Sequence, residues 1–187
     1  MEGEQWMPYM NEPDPPKGQL IPFITSPPTL CENVIKLLDV KSTDKIIDVG
    51  CGDGRIVIKA VEITGCSGVG IDINDDLINQ CKQEMKEKQL ESKLYFAVDD
   101  FSRDDFDFYN CNCVCFYFVP KIIKMMKEKV LNYLKEDHSR RCVSIRYPIK
   151  NIIPTKIDEE MKLYYYDWQS KEGVFGSNEF DTLLPAF

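Results

Sequence analysis

The chain has one histidine, His138, and it falls in the polar loop EDHSRR, so no histidine base is expected. No apolar run approaches the length that spans a bilayer, and the first residues are acidic where a transit peptide would be basic. No membrane insertion is therefore expected, and the chain is expected to be cytoplasmic. Cysteine is plentiful, with eight residues, but paired C-x-x-C spacings with histidine partners are missing. Cys111, Cys113 and Cys115 alternate as if on one strand face, which predicts small buried residues and no metal. With no signal peptide ahead of them, the scattered cysteines fit a reducing compartment better than a disulfide framework. Positive charge is short as well. The 23 basic and 31 acidic residues give a net charge of -8, which disfavours a broad phosphate-backbone footprint and favours a basic partner such as a lysine-bearing protein segment. Lys121, Lys124, Lys127 and Lys129 form a basic run that reads as a solvated helix face. There is no internal repeat and no low-complexity segment, and 187 residues suit one domain, expected to be a monomer.

What the chain does have is KIIDVGCGDGR, Lys45 to Arg55, where an apolar strand turns through glycines into a helix. Gly50, Gly52 and Gly54 let the backbone bend and approach a ligand closely. The spacing is G-x-G-x-G, not the G-x-G-x-x-G that opens a pyrophosphate site. Asp48 at the strand end and Asp53 inside the loop would repel a diphosphate and suit a ligand carrying an ammonium and a sulfonium. S-adenosylmethionine meets that description.

In chain order, residues 1–19 are an irregular, proline-bearing arm, 20–168 the globular domain, and 169–187 a tail expected to pack on it. In LIPFITSPPTL, prolines hold the chain extended, while Thr25 and Ser26 offer hydroxyls just before a helix, either as a cap or as part of a ligand-closing segment. A second strand, SGVGIDIN (Ser67 to Asn74), ends in an acid, Asp72, 22 residues beyond Gly50, where a carboxylate would meet a ribose; Asn74 or Asp75 would serve better as the following helix cap. The third strand, Leu94 to Val98, closes on Asp99, Asp100 and Phe101, a carboxylate pair and a ring suited to an adenine. The fourth, Val114 to Val119, sets Phe116 and Phe118 on one face and Tyr117 on the other, and Tyr117 either packs in the core or lines an acceptor pocket. A helix over about Lys121 to Leu134 and a strand from Cys142 to Tyr147 follow. KLYYYDW then reads as a strand that a segment within Ile152 to Glu160 can pair.

Taken together, PFITSP, DVGCGDGRIVI, GIDIN, the strand-end acid, FYFVP and IRYP resemble class I protein-lysine methyltransferases. The likeness is to the small archaeal broad-specificity enzymes and the eukaryotic family that modifies the ATP synthase c-subunit, over about Pro22 to Pro154. The resemblance implies a Rossmann-like α/β fold, a mostly parallel seven-stranded sheet with helices on both faces, that binds S-adenosylmethionine and methylates a lysine amine in a protein. Carried over by position, Asp48, Gly50, Gly52 and Gly54 would form the methionine-side loop, Asp72 the ribose acceptor and Asp100 the adenine contact. PFITSP would fold over the cofactor, with Phe23 and Thr25 where relatives have a tyrosine and a proline. FVPK replaces the N-P-P-Y tetrad used for amide or adenine nitrogens. Transfer to a small molecule or RNA, and a non-catalytic cofactor-binding scaffold, stay open beside the lysine reading.

Overall fold

A computed structural model describes residues 27–175. Pro28 at the first helical position starts α1 (Pro28–Leu37), which Val34 and Ile35 fasten to the domain. Then β1 (Lys45–Val49), α2 (Arg55–Thr64), β2 (Ser67–Asp72), α3 (Asp75–Glu87) and β3 (Leu94–Val98) alternate, the pattern of a parallel sheet wound with helices. β4 (Cys113–Phe116), α4 (Pro120–Glu136) and β5 (Arg141–Ile145) continue it; β6 (Ile152–Ile153), β7 (Lys156–Asp158), β8 (Leu163–Tyr166) and β9 (Lys171–Glu172) complete the described chain. The inner strands are near-continuous apolar runs because helices cover both faces of the sheet.

Strand order is β3-β2-β1-β4-β5-β8-β7, parallel from β3 to β5 and antiparallel from β5 to β7, with β6 and β9 a separate antiparallel pair. This is the expected seven-stranded Rossmann-like sheet. Side chains of α1, α2 and α3 fill one core with Ile46, Phe96 and Val143, and α4 fills the other with Ile47, Val114, Phe116 and Tyr166. From β1 the chain moves outward through β2 to β3, then returns to the far side of β1 as β4. The crevice where a doubly wound fold takes its ligand therefore opens at the C-terminal ends of β1 and β4.

Three local expectations change. β4 stops at Phe116 instead of Val119, because Phe118 leaves the strand to lie over Gly50 and Val119 becomes the residue that opens α4 ahead of Pro120. β5 stops at Ile145, since Arg146 takes a left-handed φ of 73° that no strand continues. Cys113 and Cys115 share the α1–α3 core as expected of strand alternation, but Cys111 precedes β4 and sits in the α4 core. All eight cysteines are buried and unbridged.

Candidate active site

Four strand ends build the site. β1 delivers Asp48 and then the glycine turn, in which Gly50 and Gly54 hold φ of 74° and 75°. Those two positions admit no side chain. A Cβ on Gly50 would lie 2.6 Å from Phe118, and one on Gly54 would lie 2.7 Å from Phe96. The turn is hung from β2, where Gly50 and Cys51 N–H groups donate to the Ile71 carbonyl at 2.9 and 2.8 Å. The Gly52 N–H donates to Asp72 Oδ2 at 3.0 Å. Thiols of Cys51 and Cys81 lie 3.8 and 3.3 Å from the Gly52 carbonyl, closing the turn from beneath.

Asp48 is 3 % exposed. Burial raises its carboxyl to about 7; the Cys115 thiol, by hydrogen bonding, pulls it down, and the negative charges of Asp72 and Asp53 push it up again. A cation placed above the turn would reverse that shift. Asp53 has turned to Arg55, whose Nε lies 2.8 and 3.0 Å from its two oxygens. Asp72 accepts from Asn74 N–H at 2.9 Å with its second oxygen, while Asn74 itself caps α3 through Asp76 and Leu77 N–H groups.

At the end of β3, Asp99 accepts from the Tyr109 hydroxyl at 2.7 Å and pairs with Arg103 at 3.3 Å. Tyr109 reaches it from a turn, Phe108–Asn110, in which three successive residues take φ of 54 to 56°. Such a left-handed run costs energy that the Tyr109–Asp99 bond and the Lys45 bond to the Tyr109 carbonyl help to offset. Asp100 is exposed, and Ser102 donates to it, which holds its pKa below the usual value. Phe101 is buried with its ring 4.9 Å from that of Phe118. Phe23, Thr25 and Ser26 lie outside the described residues.

Tyr117 is half-buried just past β4. Burial pushes its phenol up to about 12, the Arg146 charge pulls it down, and Tyr147 pushes it up. Burial and the Glu159 charge likewise raise Tyr164 on β8, and the same Arg146 charge lowers it. Tyr117, Arg146, Tyr147 and Tyr164 thus surround the ends of β4 and β5. His138 is exposed in the loop between α4 and β5, at the opposite edge of the sheet, stacked 4.5 Å from Trp168. The sequence brought Asp48, the glycines, Asp72 and Asp100 to one edge. It did not reveal Phe118 as the lid on Gly50, Tyr109 as the hold on Asp99, or Arg146 beside Tyr117. Of these, only Arg146 had a local signal, its place in IRYP, although the sequence set it inside the strand.

A doubly wound sheet with a glycine turn after β1 and an acid closing β2 defines a Rossmann-like domain of the methyltransferase type. Residues 48–156, more than half of the chain, match the ANTKMT methyltransferase domain, and the chain belongs to that family. It is 29% identical over 137 residues to the ATP synthase c-subunit lysine N-methyltransferase of Xenopus laevis, covering 73% of this chain and 58% of that protein. It is 24% identical over 138 residues to a protein-lysine N-methyltransferase of Saccharolobus islandicus (strain REY15A), covering 73% of this chain and 83% of that one. Its fold overlays, with a TM-score of 0.70 and 27% identity, on an RNA methyltransferase of Salinibacter ruber in complex with S-adenosyl-L-homocysteine, covering 76% and 92% of the two chains. The chain thus spans little more than half the length of the relatives named for the ATP synthase c-subunit.

Proposed function

We propose that the chain transfers the methyl group of S-adenosylmethionine to the side-chain amine of a lysine in a protein. The observation that carries this reading is the set of carboxylates Asp48, Asp72 and Asp100 at the strand ends around a turn whose Gly50 and Gly54 admit no side chain, with Tyr117 on the neighbouring strand end. The donor set fits that cofactor. Asp48 under the turn suits an ammonium; Asp72 keeps lone pairs on both oxygens for ribose hydroxyls; exposed Asp100 suits an adenine amino group. Phe23, Thr25 and Ser26 are proposed to close over it. When bound, the cofactor supplies an electrophilic methyl on a sulfonium.

The remaining task is to present a neutral amine in line. Two features of the acceptor side favour the uncharged lysine: partial burial between tyrosines and the positive charge of Arg146, each of which disfavours an ammonium. Tyr117 stays protonated at neutral pH and so does not act as a base; it is proposed to hold the amine by cation–π contact. The proton leaves to water. His138, on the far edge of the sheet, takes no part.

The test is incubation with a radiolabelled methyl donor and cell extract, followed by hydrolysis to amino acids. Label in methyl-lysine is expected, falling at least about tenfold in Tyr117→Ala. If Tyr117→Phe and Tyr117→Ala both leave labelling unchanged, the role given to Tyr117 is wrong. A second reading, transfer to RNA, draws on the name of the Salinibacter ruber neighbour and would put the label in nucleosides. The net charge of -8 weighs against it.

A further inference from the structure

β3 forms one border of the sheet, pairing only with β2 among the described residues. Border strands are normally protected by charge, proline or a bulge, yet Leu94–Val98 reads LYFAV, with Tyr95 55% and Val98 53% exposed. Beside it runs a groove of about 480 Å³ lined by Lys82, Met85 and Lys86 of α3 and by the strand itself.

The strand is complementary to itself. On the β2 side, Gly68 N–H donates to the Lys93 carbonyl at 2.8 Å, and Asp99 N–H donates to the Asp72 carbonyl at 3.1 Å. In a parallel ladder with this register, the odd-numbered residues of β3 bond inward and the backbone groups of Leu94, Phe96 and Val98 point outward. Antiparallel pairing of two copies about Phe96 sets Phe96 against Phe96 and Leu94 against Val98; the Leu94 N–H is already taken by the Leu90 carbonyl at 2.9 Å, so Leu94 offers its carbonyl while Phe96 and Val98 offer both groups. The same register puts Tyr95 over Ala97 of the second copy, a large residue on a small one. Bond parity and side-chain size agree on one register.

We propose that β3 is the interface of a twofold homodimer that continues the sheet from one copy into the next, in place of the monomer expected from the sequence. The Asp99–Phe101 turn, the adenine end of the proposed cofactor site, leaves the sheet directly beyond this pairing. The inference does not depend on the acceptor of methyl transfer.

The test is sedimentation equilibrium of the full chain at high micromolar concentration, alongside Val98→Pro and Tyr95→Lys. Val98→Pro removes an N–H that no bond within the sheet uses, so the fold tolerates it while the dimer does not. Tyr95→Lys adds a charge to the exposed border. The wild type is expected at about twice 21.7 kDa, and both variants at the single-chain mass with unchanged circular dichroism. A wild type at the single-chain mass overturns the proposal, as does a dimer that survives both substitutions.

Discussion

Asp72 ties the glycine turn to the end of β2 through Gly52 at 3.0 Å, so it shapes the site before any ligand arrives. Asp72→Ala is expected to weaken S-adenosylmethionine binding by tenfold or more, about 1.4 kcal/mol, and Asp72→Asn to fall between, as calorimetry would measure. Asp48 carries a pH signature. Its pKa in the fold, about 7, lies above the ordinary 3.8, so the stability it permits is complete at low pH and is lost as pH rises from about 4 through about 7. Urea unfolding across that window should show Asp48→Asn without this loss, so that its stability relative to wild type improves as pH rises; a parallel pair of curves would refute the buried acid. Cofactor binding near pH 7 should release a proton, seen as a buffer-dependent binding heat, because a cation beside Asp48 favours the carboxylate. The places of Asp72, Asp99 and Asp100 at strand ends were legible from the sequence because each lies where an apolar run closes, and position alone identifies a strand-end acid. That Asp53 would chelate Arg55, and that Phe101 would bury its ring on Phe118, was not, since both depend on where a side chain finds its partner.

The turn from β1 to α2 is the element on which the site depends, and it is closed to substitution on two grounds. Gly50→Ala meets both a left-handed φ and the Phe118 ring, and should cost on the order of 1–3 kcal/mol while abolishing cofactor binding. Chemical denaturation and calorimetry of the same variant read the two effects. The cap of α3 is separable from the site: Asn74→Ala should lower stability by about 1 kcal/mol, with cofactor affinity reduced far less than by Asp72→Ala. Here the sequence served well, because a polar side chain just before an amphipathic run has one local task. It served less well at the end of β4. An apolar alternation through Val119 cannot show that Phe118 abandons the strand for Gly50, a contact made across the fold from a distant part of the chain.

At the scale of the molecule, the strand order confines the chemistry to one border of the sheet. β1, β2 and β3 end in carboxylates, β4 and β5 in tyrosines and an arginine, and the crevice lies between the two groups. The succession of the first five strands along the chain followed from the alternation of strands and helices, which does not by itself set their order in the sheet. The last strands were harder to read, since β6 and β9 are two residues each and pair only with one another. Asp48, Asp72 and Asp100 gather negative charge where a sulfonium and an ammonium are proposed to sit, which explains why a chain of net charge -8 can keep a small-molecule site of the same sign. Calorimetric titration of the full chain with S-adenosylmethionine, S-adenosylhomocysteine and NAD, in wild type and Asp72→Ala, tests this most directly. Saturable binding of the first two, weakened by the substitution, with no NAD binding, is the expected result. No binding of either, or affinity indifferent to Asp72, would contradict the assignment of Asp48 to Gly54 and Asp72 as the cofactor site.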